Sequence, residues 1–536
     1  MTSLEPNRRF AAPLADPSAR RGPEAFAGAH VLVAGWGATG RSATAALTEL
    51  GARVTVLEGG SPAELSGLPA AVEVITDDDP HRLADRARSA VAAGASLLVA
   101  SPGWAPSHPV IRAVGGRRGT GDESGQSRQG GEGGRSRQSR QSRQSGRSIP
   151  IWSEVELAWH LSDPATHWLT LTGTNGKTTT VGMLAAILAA AGRNAPAVGN
   201  VGVPIATTVL GSRGSGRPLD ALAVELSSFQ LHFTSSVSAV ASAVINLADD
   251  HLDWHGSAEA YAADKGRIHT HTRRACIYND ASPITRELVE RADVIEGARG
   301  IGFTLAAPAV GQVGLVETAL VDRAFIHGRH SHGQVLADLS DLARLAGPTG
   351  LAPHLVADAL AAAALARADD VPPEAVTGGL RAYDPGRHRL EDVATVAGVH
   401  YVDDSKATNA HAAAAALAGH PASSIVWIAG GLAKGARFDE LVSAHGHRLR
   451  AAVLIGVDEE PFTDALTRHA PQVPRVRVDP GDDDVMRSAI RAAAALAHPG
   501  DTVLLAPAGA SMDQFASYAA RGEAFVRAVR DLEAQA

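Results

Sequence analysis

The stretch LTLTGTNGKTTT, residues 169–180, decides the fold of the middle of this chain. An apolar run ends at a Gly-containing turn, a Lys and three Thr follow, and an apolar helical pattern then runs from Val181 to Ala191. A strand, a Gly loop and a helix in this order form a phosphate cradle, because backbone N–H groups and the helix N-terminus face the anion. We predict that Lys177 reaches the phosphates of a nucleotide and that Thr178 ligates Mg²⁺.

The match to the general phosphate-loop pattern is incomplete. That pattern has a Gly five residues before Gly176, where this chain has Leu171. An ordinary Gly turn capped by Thr is the alternative, although the complete segment is much rarer than a lone Gly-Lys-Thr. The predicted nucleotide-binding residues of the loop are Gly173, Thr174, Asn175, Gly176, Lys177, Thr178 and Thr179.

Length, charge and cysteine content limit the class of protein. A chain of 536 residues is long enough for about three domains. Its net charge of −8 argues against nucleic acid or an anionic membrane as the main partner. Cys276 is the single cysteine, which excludes an internal disulfide and fits a reducing compartment. No apolar run has the length of a signal peptide core or of a membrane span, so we expect a cytoplasmic protein.

The chain divides into segments of different composition. Residues 1–28 are rich in Pro, Arg and Ala, and we predict a flexible leader. Alternating strand and helix patterns predict α/β domains with mostly parallel sheets over 29–163, 164–386 and 387–536. The first domain is interrupted at 115–148 by a segment with no apolar residue, eight Arg and three acids. We predict a disordered, solvated insertion there, with a basic nucleic-acid-binding arm as the alternative.

The first domain carries a second Gly-rich loop, GWGATG at Gly35–Gly40, directly after a predicted strand. Glu58 ends the next strand, and Ser101 follows a later one. This layout is typical of a Rossmann-like nucleotide site. It fits a nicotinamide-dependent oxidoreductase, a ligand with a diphosphate such as a UDP-sugar, or simply close packing of a strand on a helix.

Acidic residues follow two predicted strands of the middle domain. Glu225 closes the strand Leu222–Val224, and the segment NLADDHLDWH at Asn246–His255 follows another. Carboxylates and an imidazole at strand ends beside a phosphate loop suit Mg²⁺ or Mn²⁺. Lys265, by composition alone, reads as a solvated helix lysine.

Nine segments, taken together, resemble the Mur ligase family of peptidoglycan synthesis. In chain order they are LTGTNGKTTT, VGNVGVP, VELSSFQL, DDHLDWH, YAADKGRI, HRLE, DDSKATN, GGLAKG and PAGASMDQF. The similarity covers residue 29 to the end apart from the insertion, and ELSSFQ and SMDQF favour the members that add D-glutamate. The resemblance implies a Rossmann-like UDP-binding domain, a central ATPase and a Rossmann-like C-terminal domain. It also implies ATP-dependent joining of D-glutamate to UDP-N-acetylmuramoyl-L-alanine through an acyl phosphate, with another Mur-type or a folylpolyglutamate-type ligase as the alternative.

The resemblance also implies residue roles. Lys177, His251 and Lys265 would be catalytic, and Lys265 would carry a CO₂-derived carbamate. The two Mg²⁺ sites would involve Thr178, Glu225, His251 and the Lys265 carbamate. Asp404 and Lys406 would lie near ATP. Residues at the UDP-substrate site would be Thr39, Ser101, Asn200 and Ser227. Residues at the D-glutamate site would be Arg389, Thr408, Lys434 and Ser511.

Some positions depart from the family pattern. The family's H-N-x-x-N motif reads His354-Leu355-Val356-Ala357-Asp358 here, so both Asn are replaced. Tyr518 stands where Phe is common, and Glu58 where Asp is frequent. A catalytically inactive scaffold with an Arg/Ser-rich interaction arm is therefore an alternative. We expect a monomer that binds neither nucleic acid nor membrane.

Overall fold

The structure, a computed structural model, describes Phe10 and residues 19–59, 65, 67–115, 148–200, 202–248, 250–346, 350–433, 435–482 and 484–535. Three β-sheets with helices packed against them follow one another along the chain, which confirms the predicted α/β class. Within the described ranges, no helix combines the length and the apolar character needed to cross a membrane.

The first sheet has five parallel strands in the spatial order β3-β2-β1-β4-β5. Its elements are β1 (His30–Ala34), α1 (Ala38–Glu49), β2 (Arg53–Glu58), β3 (Glu73–Thr76), α2 (Pro80–Ala92), β4 (Leu97–Ala100), α3 (Pro109–Val114), β5 (Ile151–Trp152) and α4 (Glu154–Leu161). β1 reads HVLVA and is buried along its whole length, as expected of a parallel strand covered on both faces. Gly35 follows β1 with a φ of 95°, which favours glycine.

Part of the N-terminal segment packs against this sheet. Phe10 is 3% exposed, and its ring centre lies 5.2 Å from that of Phe26 and 5.5 Å from that of Trp152. The expectation of a flexible leader over 1–28 is therefore wrong for Phe10 and for residues 19–28, because aromatic contacts bury Phe10 and Phe26 and the Arg20 guanidinium lies 4.0 Å from the ring centre of Trp159. The other residues before residue 19 lie outside the described part of the chain.

The predicted insertion lies almost entirely outside the described residues, which stop at Gly115 and resume at Ser148. The two ends of the described chain meet at this point, because the backbone N–H of Ile149 donates to the carbonyl oxygen of Val114 at 2.9 Å. A backbone hydrogen bond between the described residues on either side of the insertion therefore joins the end of α3 to the segment before β5.

We expect that deleting residues 117–147 and joining the ends with a short Gly/Ser linker leaves the melting temperature within about 4 °C of the parent. Loop length changes the closure free energy slowly, by about 0.6 kcal/mol for each doubling, and 1 kcal/mol moves the Tm of a domain of this size by roughly 2–4 °C. Thermal unfolding followed by circular dichroism measures this. A much larger fall in Tm would show that the segment packs against the fold.

The second sheet carries the phosphate loop and has nine strands in the order β14-β13-β12-β11-β10-β9-β6-β8-β7. The strands are β6 (His167–Thr172), β7 (Ala197–Gly199), β8 (Ala221–Glu225), β9 (Ala241–Val244), β10 (Ala275–Asn279), β11 (Arg299–Thr304), β12 (Gln312–Val316), β13 (Ala319–Asp322) and β14 (Gln334–Asp338). β13 and β14 are antiparallel to their neighbours, and the other pairs are parallel. β6 lies between β8 and β9, so the carboxyl ends of these three strands meet at one edge, where ligands bind in open α/β sheets.

Helices cover both faces of the second sheet. They are α5 (Lys177–Ala190), α6 (Ile205–Ser215), α7 (Ser228–His232), α8 (Leu252–His255), α9 (Ala258–Gly266), α10 (Pro283–Glu290), α11 (Pro353–Ala368) and α12 (Pro373–Ala382). α5 packs against α11 and α12. At the α5–α12 crossing, a Cβ on Gly379 would lie 2.3 Å from the Cα of Ile187, so the close approach requires glycine and fixes the position of α5.

The third sheet has six strands in the order β15-β16-β20-β17-β18-β19, with β15 antiparallel to β16 and the rest parallel. Its elements are β15 (Glu391–Val396), β16 (Val399–Asp403), α13 (Ala410–Ala418), β17 (Ile425–Gly430), α14 (Asp439–His445), β18 (Leu449–Ile455), α15 (Glu460–His469), β19 (Arg475–Arg477), α16 (Val485–Leu496), β20 (Thr502–Ala508) and α17 (Tyr518–Glu533). Each sheet falls within one of the three predicted domain ranges, while the limits of those domains stay a prediction.

Candidate functional site

The phosphate loop connects β6 to α5 through Gly176, the residue that caps α5. Gly176 has a φ of 77°, which favours glycine. A Cβ at this position would also lie 2.4 Å from Oδ1 of Asp358 on α11. The first-turn N–H groups of α5 have no partner within their own helix, so the turn presents hydrogen-bond donors, and anion binding at this turn stays a prediction.

Asn246 holds the loop in this shape and was not recognised as a site residue from the sequence. Its Oδ1 accepts hydrogen bonds from the backbone N–H groups of Thr174 (3.0 Å) and Asn175 (2.9 Å). Its Nδ2 donates to the carbonyl oxygen of Asn175 at 2.9 Å. The position of Asn246 just after β9, beside β6, was the available signal.

Two lysine ammonium groups meet at the start of the loop. Nζ of Lys177 donates to the carbonyl oxygens of Gly173 (2.9 Å) and Thr174 (2.8 Å). Nζ of Lys265, from α9, donates to the same oxygen of Gly173 at 2.8 Å and to Oγ1 of Thr172 at 3.2 Å. Lys265 is 2% exposed, so the expectation of a solvated helix lysine from composition alone is wrong.

Burial lowers the pKa of both lysines from the ordinary value. For Lys265 the pKa falls well below that value, because the charge of Lys177 adds to the effect of burial. Glu225 and Asp250 act in the opposite direction on both groups. The consequence is a neutral, nucleophilic amine on Lys265 over a wider pH range than for an exposed lysine.

Glu225 ends β8 beside the loop and is 1% exposed. Its Oε1 accepts a hydrogen bond from Nδ2 of Asn200 at 2.9 Å. Its Oε2 is buried and has no hydrogen-bond partner within the described ranges. A buried acceptor without a partner is costly, so this oxygen is suited to a cation or to a donor brought by a ligand.

His251 and Ser227, the other two predicted site residues of the middle domain, each lie next to the start of a short helix. His251 precedes α8 as its N-cap residue, with a φ of 52°. Its side chain is 41% exposed, and Nε2 lies 3.6 Å from Oδ2 of Asp250. Ser227 caps α7, where its Oγ accepts from the backbone N–H of Gln230 at 3.3 Å. His251 is not among the described residues that line the cavity below.

A buried hydrogen-bond chain fixes these segments to one another. His255 bonds Oγ of Ser228 through Nε2 and Oδ2 of Asp264 through Nδ1, each at 2.9 Å. Nδ1 of His232 bonds the same carboxylate at 2.8 Å. Asp264 precedes Lys265 on α9, so this chain sets the distance between α7, α8 and the lysine. Sequence reasoning missed it because its members are far apart along the chain.

A cavity of about 820 Å³ opens between the phosphate loop and the third sheet. The predicted site residues that line it are Thr174, Asn175, Gly176, Lys177, Thr178, Thr179, Asn200, Glu225, Arg389, Asp404, Lys406 and Thr408. Residues from two parts of the chain that the sequence treats as separate domains therefore share one cavity.

Two side chains from the C-terminal part reach the phosphate loop directly. Nη1 of Arg389 donates to Oγ1 of Thr179 at 2.7 Å. Nδ2 of Asn409 donates to Oδ1 of Asn175 at 3.2 Å. Arg389, predicted for the D-glutamate site, is thus placed against the first turn of α5, beside the phosphate loop.

Asp404 and Lys406 lie in the same cavity and have shifted acidities. Burial raises the pKa of Asp404 to about 7. Burial, aided by the charge of Arg389, lowers the pKa of Lys406 to about 8. Nζ of Lys406 lies 5.2 Å from the ring centre of Tyr518, so the phenol ring in place of Phe retains the contact of a cation with an aromatic face.

The other predicted residues that the structure describes are not among those that line this cavity; they are Gly173, Ser227, His251, Lys265, Thr39, Ser101 and Ser511. Thr39 lies in the first turn of α1, and Oγ of Ser101 donates to the carbonyl oxygen of Gly35 at 3.5 Å. Both are therefore at the carboxyl edge of the first sheet, as predicted. Ser511 is 3% exposed and is not among the described lining residues. Lys434 lies outside the described residues.

Asp358, one of the two departures from the family motif, faces Gly176 from a buried position on α11. It is 5% exposed, and no Lys, Arg or His nitrogen of the described chain lies within ion-pair distance of its carboxylate. Burial raises the pKa of Asp358 well above the ordinary value, against the weaker effects of a hydrogen bond from Thr180 and the charge of Arg389. The other departure, Leu355, is buried and lines the same cavity.

We expect Asp358→Asn to raise the melting temperature, and the gain to grow as the pH rises from about 4. The folded state disfavours the charged carboxylate, so the unfolded chain loses this proton first and stability falls as the pH rises toward the raised pKa. The uncharged isostere removes that loss. Tm measured from pH 5 to pH 8.5 tests this, with Asp78→Asn at an exposed position as the control. A gain that is independent of pH would contradict it.

Family models and individual related proteins both match this chain to the Mur ligases. The Mur ligase middle domain matches residues 171–345, and the Mur ligase glutamate ligase domain matches residues 388–509. A Streptomyces coelicolor protein named UDP-N-acetylmuramoylalanine–D-glutamate ligase is 50% identical over 517 residues, covering 96% of this chain and 100% of that protein. A Thermobifida fusca protein of the same name is 46% identical, covering 94% and 99%.

Solved structures support the fold at lower sequence identity. A pseudomurein peptide ligase type C from Methanothermus fervidus aligns with a TM-score of 0.53 at 14% identity, covering 94% of this chain and 100% of that one. A UDP-N-acetylmuramate–alanine ligase from Thermotoga maritima aligns with a TM-score of 0.50 at 14% identity, covering 94% and 99%. The predicted three-part α/β architecture is confirmed by these matches.

Proposed function

We propose that this chain, which belongs to the Mur ligase family, joins D-glutamate to UDP-N-acetylmuramoyl-L-alanine at the expense of ATP, in the cytoplasm, during peptidoglycan precursor synthesis. The observation that carries the proposal is the 50% identity, over the full length of the relative, to a protein named for this reaction. The cavity between the phosphate loop and the third sheet supports it, because a ligase must bring a nucleotide and two further substrates together.

The phosphate loop supports the nucleotide part. Gly176 lets the chain turn into α5, and the free N–H groups of the first helical turn face the cavity. Lys177, Thr178 and Arg389 line the same wall. We assign the phosphates of ATP to this wall because it combines helix donors with two cationic side chains.

The residues present fit a magnesium ion beside the phosphates. Glu225 offers a buried carboxylate oxygen without a partner in the described chain, while Asn200 fixes the orientation of the other oxygen. Thr178 adds a hydroxyl on the same cavity wall. Bound Mg²⁺ would neutralise charge on the phosphate oxygens. The family resemblance also implies a second Mg²⁺ held in part by His251, which is not among the described residues that line the cavity.

Lys265 fits the carbamate that the family resemblance implies. Its amine is buried beside the phosphate loop, and burial and the charge of Lys177 favour the neutral form. A neutral amine forms an N–C bond to CO₂ and releases a proton, which leaves an anionic carbamate. Such an anion would form a favourable ion pair with the neighbouring Lys177, which neither the neutral amine nor the ammonium form of Lys265 can do.

The chemistry then follows from the groups that share the cavity. The alanyl carboxylate attacks the γ-phosphorus and becomes an acyl phosphate, and the amine of D-glutamate attacks the carbonyl with loss of phosphate. Lys177 and Arg389 stabilise negative charge on the transferring phosphoryl group. Asp404, whose pKa burial raises to about 7, is suited to accept a proton in the cavity near neutral pH.

Phosphate release with UDP-N-acetylmuramoyl-L-alanine, ATP and Mg²⁺ tests the proposal directly. D-Glutamate should support turnover, while L-glutamate, glycine and L-lysine should not. Turnover with L-glutamate on a folate substrate would instead indicate a folylpolyglutamate-type ligase. Thermal stabilisation by NADH, with no effect of ATP and the UDP substrate, would favour the oxidoreductase. No turnover with any amino acid would favour an inactive scaffold.

A further inference from the structure

The turn that carries Arg389 has an unusual backbone. His388 and Leu390, on either side of it, have positive φ values of 67° and 45°. Residues with side chains adopt this left-handed conformation rarely, and it persists where surrounding contacts fix it. Because the turn follows α12 and precedes β15, it connects the second sheet to the third.

Two hydrogen bonds of His388, and a third that anchors Asp403, hold this turn. Nδ1 of His388 bonds Oδ2 of Asp403 at 2.7 Å, and the two residues are 4% and 0% exposed. The backbone N–H of His388 donates to Oε2 of Glu391 at 2.8 Å. The second oxygen of Asp403 accepts from the backbone N–H of Ser405 at 2.9 Å. The carboxylate therefore ties the turn to the loop that carries Asp404 and Lys406.

Gly522, in the first turns of α17, provides the seat for the imidazole. A Cβ on Gly522 would lie 2.2 Å from Nδ1 of His388, so any other residue would displace the ring. Glycine weakens the interior of a helix, and its presence here has this steric reason. Arg521 next to it is 0% exposed and donates to the carbonyl oxygens of Ser405 (2.9 Å) and Gly509 (3.0 Å).

We propose that the buried His388–Asp403 pair, seated on Gly522, is a positioning device that presents Arg389 to the phosphate-loop helix. Arg389 reaches Thr179 from this turn, and a rotation at either flanking residue would move the guanidinium out of the cavity. The ligand atoms of His388, Asp403 and Glu391 lie within 4.8 Å of one another, which would also suit a metal ion. Positioning is favoured because these atoms already bond one another and the turn.

The role in turnover rests on the proposed ligase function and is tested by a double-mutant cycle. His388→Ala should lower kcat/KM by about 10- to 100-fold, since a displacement near 1 Å can cost this much. In an Arg389→Ala background, the same change should cost less than about three-fold, because the group that it positions is gone. A full additional loss in that background would overturn the proposal, as would a parent protein that loses activity to a Zn²⁺-selective chelator in excess Mg²⁺ and regains it with added Zn²⁺.

Variants that preserve the fold give a second line of evidence. His388→Asn keeps an N–H donor near the position of Nδ1 and should restore part of the activity lost in His388→Ala. Gly522→Ala should reproduce the His388→Ala defect, whereas Gly378→Ala, whose Cβ would lie 3.6 Å from Ala190, should behave as the parent. Equal effects of Gly522→Ala and Gly378→Ala would contradict the proposal that Gly522 makes room for the His388 imidazole.

A measurement of stability, which does not depend on turnover, separates this inference from the proposed function. In urea unfolding, the loss of stability caused by Gly522→Ala should largely disappear in the His388→Ala background, because the clash is with the imidazole. If the losses in the free energy of unfolding caused by Gly522→Ala and His388→Ala are additive, the proposed contact between Gly522 and the imidazole is overturned. If the parent protein releases no phosphate with D-glutamate, the ligase proposal fails and the stability cycle still decides the contact.

Discussion

Lys265→Ala is expected to retain almost no ligase activity, with a fall in kcat of about 10²–10³. The variant removes the amine that we propose to be carbamylated, and with it an anion beside Lys177 and Glu225. Acetate or formate at high concentration should restore part of the turnover, because a small carboxylate fits the space and charge that the carbamate occupied. Phosphate release as a function of acetate concentration measures this.

Lys265→Arg is the matched control for this experiment. It keeps a cation of similar length but cannot form the carbamate, so it should be as inactive as the alanine variant and should not respond to acetate. Carbon NMR of the parent enriched with labelled CO₂ should show a carbamate signal that is lost in both variants. A fully active parent with only free amine at Lys265 would sink the idea.

The nearness of the phosphate loop to Glu225 could be predicted from the sequence, because the loop follows one strand and Glu225 ends another. In a parallel sheet the carboxyl ends of neighbouring strands share an edge. Thr174 to Thr179 follow β6, and Glu225 ends β8, so order along the chain predicted nearness in space. The same reasoning places Thr39 and Ser101 at one edge of the first sheet.

Contacts between distant parts of the chain could not be predicted in this way. Asn246 accepts a hydrogen bond from the phosphate loop although it is 71 residues away in sequence. Asp358 on α11 occupies the space beside Gly176 that a Cβ would need. Such contacts depend on how helices and sheets pack, which local patterns do not specify. A single sequence suggests that Asn246 lies near the site, but it does not show which hydrogen bonds the amide makes.

The contact between residues that precede the third sheet and the phosphate loop of the second sheet is the main feature that the sequence did not predict. Arg389 was predicted for the D-glutamate site through family resemblance, and the structure places its guanidinium on Thr179. The left-handed turn at His388 and Leu390 explains this placement, but neither residue is a glycine or asparagine that would have indicated it. Here side-chain burial, rather than backbone preference, determines the conformation.

Lys177→Ala is expected to lower kcat by about 10²-fold or more, while the Kd for ATP rises much less. Nζ of Lys177 bonds the carbonyl oxygens of Gly173 and Thr174 in the structure, so it lies on the loop and beside the space for the phosphates. Charge on the phosphoryl oxygens changes during transfer, and a cation fixed there stabilises the transition state more than the bound nucleotide. Single-turnover phosphate release and nucleotide titration separate the two quantities.

Lys177→Arg is the informative companion, because it keeps the charge and changes the geometry. The guanidinium is planar and cannot replace a compact ammonium between two carbonyl oxygens. We therefore expect its kcat to lie between those of the parent and the alanine variant. If instead both variants weaken ATP binding strongly and leave single-turnover rates unchanged, Lys177 serves nucleotide binding alone. The stabilisation of the transferring phosphoryl group would then have to come from Arg389 and the metal ligands.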